Sequence, residues 1–216
     1  LDTREVKQVT SGIGFADIEG IYLPDDNILF NSTRCGTSVD CWFTEVSNLF
    51  ICDRSGKYMR QIGFDQVHTL HPVLLEDGRV VYTRWDYNDR GQIFPQPLFQ
   101  MNFDGTGQAE YYGGNSWFPT TITQPCAIPG SRKVMAVLMG HHNPQHPFAL
   151  NQTDFLISYT PLGYNIGTSI EFAIYWMNID GERELLVADS KISCNQPVLV
   201  APRKRPFQRV NMVDYT

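Results

Sequence analysis

Apolar and polar residues alternate in short runs along nearly the whole chain, and almost no segment has the three-to-four spacing of a helix face. Two phrases recur. The first opens on a proline, passes through two or three apolar residues, turns at a polar step and ends in an apolar strand. It occupies residues 72–82, with a related run at 21–30 and further copies at 125–135, 147–157 and 197–203. The second is an apolar strand closing on a hairpin turn, at 48–56, 97–105 and 173–181. Ser55-Gly56, Asp104-Gly105 and Asp180-Gly181 supply the positive φ that tight hairpins need, and Asp77-Gly78 does so inside the first phrase. Another strand follows each second phrase, as at 58–62 and 183–187.

Each unit therefore predicts three or four antiparallel strands joined by hairpins. One such sheet cannot bury both faces alone, whereas sheets stacked radially bury them and leave only short edges. A sandwich is also strand-rich but has no reason to repeat one phrase pair. The expected fold is all-β: a β-propeller of four-stranded antiparallel blades, six or seven when complete. Blade-like units are expected near 1–10, 18–66, 70–113, 123–140, 147–190 and 195–203 within one partial domain spanning 1–216.

The spacing contains a break. Pro72 to Pro125 and Pro147 to Pro197 each span about 50 positions, but Pro125 to Pro147 spans about 22. The unit opening at Pro125 has its first phrase and lacks its second. A missing segment of about 30 or more residues is expected between Gly140 and Pro147, because a blade ending there leaves an open edge.

Hydrophobic content of 42% and charged content of 19% fit a globular chain and exclude wholesale disorder. The formal net charge of -6 argues against a general nucleic-acid binder, which needs a basic surface to displace counterions. No stretch approaches the roughly 20 apolar residues that span a bilayer. The chain begins at Leu1 and not at methionine, so the absence of a signal segment carries no weight.

None of the five cysteines forms a C-x-x-C pair, so zinc-knuckle, thioredoxin-type and haem-attachment motifs are all absent. Cys35 and Cys41 bracket a short polar stretch whose spacing suits a disulfide-closed loop, and such a bridge implies an oxidising compartment.

The five histidines form two groups, His68 and His71, then His141, His142 and His146, each beside a strand end where propeller loops gather at an axial mouth. His68, His71, His141 and His142, with Asp86, are candidate ligands for a divalent metal, Zn, Mn or Ca. The alternative is that these histidines cap strands and bond loop backbone. Arg84, Trp85, Tyr87 and Arg90, with Trp117 from another aromatic loop, are candidates for a ligand platform of stacking rings and an anion clamp, or else for a latch of ion pairs between blades. Asp25, Asp26 and Asp104 sit in turns, where turn chemistry competes with calcium binding. No nucleophile elbow or P-loop is present.

Several uncommon phrases also carry a resemblance. Residues 65–72, 77–87 and 98–108, then Glu110-Tyr-Tyr-Gly113, Gly140-His-His142 and 155–161, resemble the propeller of hydrazine synthase alpha-subunit-like proteins, and individual blades look like TolB-type repeats. The resemblance implies a secreted or periplasmic protein whose propeller is joined to a c-type cytochrome module. It also implies a longer stretch after the His-His pair, in agreement with the break. No haem-attachment motif is present, so haem would have to be carried by regions absent from this chain. Two functions are therefore expected: an extracytoplasmic scaffold binding a protein partner, a small molecule or a glycan, or alternatively a metal-dependent polysaccharide lyase or hydrolase at the propeller mouth. No complete catalytic set is visible, and fold alone confers no chemistry.

Overall fold

The computed structural model describes residues 5–40, 43–87, 95–114, 116, 119–139, 146–161 and 171–213. Its strands form four antiparallel sheets in which chain neighbours are sheet neighbours. The first holds β1 (Asp17–Tyr22), β2 (Ile28–Ser32), β3 (Asn48–Cys52) and β4 (Arg60–Gln61). The second holds β5 (Thr69–Leu74), β6 (Arg79–Arg84), β7 (Leu98–Asn102) and β8 (Ala109–Tyr112). The third has β9 (Thr121–Ala127) and β10 (Val134–Met139). The fourth holds β11 (Phe148–Ala149), β12 (Asp154–Tyr159), β13 (Ala173–Asn178) and β14 (Arg183–Val187). The only helical turn among the described residues is a single 3-10 turn, Thr33–Cys35, whose Arg34 N–H is capped by the Ser32 hydroxyl.

Turn chemistry fixes the hairpins. The Asp53 carboxylate accepts the N–H groups of Ser55 and Lys57, Asp104 accepts that of Thr106, and the Asn178 side-chain oxygen accepts those of Asp180 and Glu182. Asp25 likewise takes the Asn27 N–H. The turn aspartates thus do local work.

Three of the hydrophobic clusters bridge two sheets. Leu23, Leu29, Leu49 and Ile51 of the first sheet pack with Val80, Tyr82, Met101 and Phe103 of the second. Leu75, Val81 and Leu98 pack with Ile122 of the third. Ile128 of the third packs with Ala149 and Phe155 of the fourth. Full burial of one such aliphatic side chain stabilises by roughly 1.5–3 kcal/mol. The first strands stand together at the centre, β1 against β5, β5 against β9 and β9 against β11. Successive sheets are also stitched by backbone, Thr69 N–H to the Ser47 carbonyl (2.9 Å) and Ile122 N–H to Gln96 (2.9 Å), and Cys194 N–H ties the tail to Phe172 beside β13 in the same way (2.7 Å). The arrangement is all-β and propeller-like, as the repeat predicts.

The third sheet has two strands among the described residues, matching the lost second phrase, and the expected missing segment falls largely on residues 140–145, outside the described ones. Residues 5–10 and 195–203 form no strand. The tail runs instead over the hairpin turns. Arg203 lies over the Phe148 ring, Arg205 pairs with Asp26, the Phe207 N–H donates to the Glu76 carbonyl, and the Met212 N–H donates to the Asp104 carboxylate.

Cys35 is a free thiol, with Sγ 3.0 Å from the Val46 carbonyl, and its expected partner Cys41 lies outside the described residues, so the structure gives the disulfide no support.

Candidate functional site

Three of the central strands break in the same way. Pairing of β1 with β2 slips between Ile18 and Ile21, that of β5 with β6 between Leu70 and Val73, and that of β9 with β10 opposite the step from Met135 to Val137. At each slip one residue takes a left-handed backbone: Glu19 (φ 57°), His71 (φ 52°) and Gln124 (φ 51°). Such φ values are rare outside glycine, and a bulge is the ordinary way a strand re-aims one side chain. His71 and Gln124 each precede a proline, whose ring cannot donate to the ladder and so favours the slip.

The three re-aimed side chains and their neighbours form one polar cluster. The Glu19 carboxylate accepts the Asn31 amide (2.8 Å) and the His71 backbone N–H (2.6 Å), and its other oxygen lies 3.3 Å from His71 Nε2. A carboxylate facing Nε2 requires Nε2 to carry the proton, so Nδ1 accepts from the Thr123 hydroxyl at 2.9 Å. Asn31 is in turn held by the Thr69 hydroxyl, at 2.7 Å. Beyond Thr123, the Gln124 amide meets His146 Nε2 at 3.3 Å, leaving its oxygen buried without a hydrogen-bond partner. Gln124 itself is 5% exposed. Leaving such an acceptor dry costs about 1–3 kcal/mol.

Burial is the main cause that holds both imidazoles below the ordinary histidine value; Glu19 works the other way on each. The two rings are therefore neutral hydrogen-bonding groups at pH 7. Side chains of Glu19 and His71 remain about a quarter exposed, so the cluster opens to solvent.

The expected metal ligands part company. His68 Nδ1 accepts the Ser47 N–H at 3.1 Å, and its ring stacks on Trp85 with centroids 5.7 Å apart. This is the strand-capping role. His71 faces Glu19, and Asp86 pairs with Arg84 at 2.8 Å. His141 and His142 lie outside the described residues. Among the described residues no group of three or more His, Cys, Asp or Glu side chains is placed to hold a metal.

The expected ligand platform is occupied by the protein's own groups. Arg84 bridges Asp65 (3.2 Å) and Asp86 and lies over the Phe99 ring. Burial pushes the Asp65 carboxyl up while Arg84 opposes it, and Gln108 ties Asp65 to the Tyr82 hydroxyl. Trp85 and Tyr87 meet edge to face and cover Val39, Val46 and Val67. The latch fits these contacts. Arg90 and Trp117 lie outside the described residues.

At the far end of the central strands a cavity of about 300 Å³ opens between the β5–β6 and β9–β10 turns, with Glu76, Asp77, Arg79, Arg132 and Lys133 on its walls. Its charges are partly paired, Arg79 with Asp77 (2.6 Å), while the Glu76 carboxylate takes the Gly130 N–H.

Sequence reasoning missed Glu19, Gln124 and the pairing of His146. The available signal was the residue just before each repeated proline: His71, Gln124, His146 and Gln196 are all polar. Gln196 repeats the left-handed backbone (φ 55°), two positions after the Cys194 stitch, as His71 follows Thr69 and Gln124 follows Ile122.

Comparison with known proteins gives a likeness of fold. No family model matches the chain, and no curated protein does. A solved structure of hydrazine synthase from Kuenenia stuttgartiensis matches with a TM-score of 0.61 at 18% identity. The match covers 76% of this chain and 28% of that one, so this chain corresponds to little more than a quarter of its length. At this identity the two share an all-β, propeller-like scaffold, a distant structural relationship.

Proposed function

We propose that the chain is part of a β-propeller scaffold that binds a ligand or protein partner at the mouth formed by β1, β5 and β9. The carrying observation is that three successive central strands each spend a strained, left-handed residue to bring Glu19, His71 and Gln124 into one cluster. Strain of this kind costs about 1–3 kcal/mol per residue and persists where the surroundings over-determine it, as at binding sites. The Gln124 oxygen, buried in the cluster, has no hydrogen-bond partner among the described residues.

A ring closed by further sheets is part of this reading. Cys194 and Gln196 repeat the stitch and bend that begin a central strand, and the β14 side of the fourth sheet is exposed along Arg183–Val187. On the resemblance in sequence alone, this reading also puts the scaffold outside the cytoplasm, within a larger protein that carries a c-type cytochrome module. A metal-dependent lyase or hydrolase is the less favoured reading, because the described histidines do not gather around one point.

The test is a binding screen read at the site. Histidine ring resonances of the chain are followed while neutral, anionic and cationic small molecules are added. Saturable shifts at His71 and His146, with His68 unmoved, are expected for at least one class. Shifts at none of the rings would remove the site from consideration.

A further inference from the structure

The cavity between the β5–β6 and β9–β10 turns shares no lining residue with the Glu19–His71 cluster. Its volume of about 300 Å³ is at the lower end of the roughly 300–1,000 Å³ of small-molecule sites. Buried Leu75 and Ala127 give it an apolar wall. The turns on either side are held before any ligand arrives. The Glu76 carboxylate crosses to the Gly130 N–H at 2.6 Å. The Ser131 hydroxyl donates to the Ile128 carbonyl (3.0 Å) and accepts the Lys133 N–H (3.1 Å), and the Ile128 N–H closes on the Lys133 carbonyl (3.1 Å). A backbone fixed in this way adds little ordering cost to binding.

The charges on the walls are unequally engaged. Asp77 is held by Arg79 through two bonds, of 2.6 and 2.8 Å, and Glu76 is held by Gly130. Among the described residues neither Arg132 nor Lys133 has an acidic partner. Their turn, 129–133, contains no Asp or Glu, whereas the equivalent turns of the first two sheets carry Asp25 and Asp26, and Glu76 and Asp77. Three cations against two carboxylates leave one formal positive charge on the walls, in a chain whose net charge is -6.

One negative charge completes that balance. The planar fork of an arginine takes a carboxylate in two parallel bonds, and a lysine beside it adds a point charge. A phosphate dianion would set its second charge against Glu76 and Asp77. The apolar wall calls for an apolar body on the anion.

We infer that this cavity binds a small organic monocarboxylate, its charged end on Arg132 and Lys133 and its apolar body against Leu75 and Ala127. The inference is independent of any ligand at the β1–β5–β9 mouth.

The experiment titrates the chain with benzoate, with benzamide as its neutral isostere, with acetate, which lacks the apolar body, and with phenyl phosphate. The readout is the Gly130 amide and Ala127 methyl resonances, followed separately from the His71 and His146 rings. Benzoate should give saturable shifts, acetate and phenyl phosphate weaker binding, and benzamide none. Both cations are exposed, so Arg132→Gln and Lys133→Gln should each weaken benzoate about fivefold, and Lys57→Gln, at an exposed turn of the first sheet, should leave it unchanged. Glu76→Gln keeps an acceptor for the Gly130 N–H and removes a negative charge, so phenyl phosphate should gain on benzoate there. Equal binding of benzamide, tighter binding of phenyl phosphate than of benzoate to the parent, no shift at Gly130 and Ala127, or benzoate binding unchanged in both the Arg132 and Lys133 variants overturns the proposal. Shifts at the histidine rings alone would leave the mouth standing and remove this cavity.

Discussion

Glu19 and His71 lie on different sheets, adopt nearly the same left-handed backbone, and face each other with carboxylate oxygen and Nε2 3.3 Å apart. The bond between them, with the backbone N–H of His71 on the other carboxylate oxygen, ties β1 to β5 at the centre of the molecule. Removing the carboxylate leaves the Asn31 amide and the His71 N–H without an acceptor, at about 1–3 kcal/mol each before any water enters. Replacement by alanine removes the bonds and keeps the strain of a Cβ at positive φ, whereas glycine removes both. Glu19→Ala is therefore expected to unfold at lower urea than Glu19→Gly, by about 1 kcal/mol, with both below the parent. Equal stability of the two variants would show that the backbone at residue 19 is relaxed.

The histidines set a pH dependence. Burial lowers the pKa of His68, His71 and His146 in the folded protein, so between those lowered values and the ordinary 6.5 the unfolded chain binds more protons than the folded one. Stability then rises with pH through that window and is fully present above it. Folding free energy measured by urea titration should fall as the pH is lowered from 7 toward 5. His71→Asn, which suits a left-handed backbone and cannot titrate there, should flatten part of that slope. An unchanged slope in the folded variant would assign the dependence to the other two rings.

Much of this fold is legible in the sequence. The hairpin phrase at 48–56 becomes β3 and its turn, that at 97–105 becomes β7, and that at 173–181 becomes β13, because Asp-Gly and Ser-Gly steps fix local φ without help from distant residues. The proline phrase is right about the strand and wrong about its start. Pro72 and Pro125 lie inside β5 and β9, since the central strand begins at Thr69 or Thr121 and the proline sits at the slip. The site was hidden for the same reason. A left-handed Glu19 has no proline after it, and its meeting with His71 joins positions 52 residues apart, which no local pattern encodes. The aromatic loop left two readings open in sequence, a ligand platform or a latch; in space Arg84 pairs with Asp65, Trp85 stacks on His68, and Trp85 and Tyr87 pack on the valines of the loop.

Leu29 tests whether sheets stabilise each other by packing face to face. It is fully buried on β2 in the cluster shared with Val80, Tyr82 and Met101 of the second sheet. Leu29→Ala should cost about 2–5 kcal/mol by the transfer and cavity terms. Hydrogen exchange should show loosening of β6 and β7 as well as β2. Loss of protection confined to the first sheet would mean that the two sheets fold independently.

The tail gives a prediction with an internal control. Gly78 (φ 81°) and Gly181 (φ 86°) hold nearly the same backbone in equivalent hairpin turns. A Cβ at Gly78 would run into the Phe207 carbonyl oxygen and the Arg209 side chain, whereas one at Gly181 meets nothing within 4 Å. Alanine at either position has the strain of a left-handed residue, roughly 1 kcal/mol, so the difference between the variants isolates contact with the tail. Gly78→Ala should be the more destabilised and should also lift the segment from the turns, breaking the Phe207 N–H bond to Glu76 and freeing the backbone after Arg203, Lys204 and Arg209 for cleavage by trypsin. Limited digestion should cut Gly78→Ala several times faster in this segment than Gly181→Ala. Identical cutting would mean that residues 203–213 leave the hairpin turns in solution often enough for Gly78 to make no difference, and the bonds of Arg205 to Asp26 and of Met212 to Asp104 would then be too weak to hold the segment there.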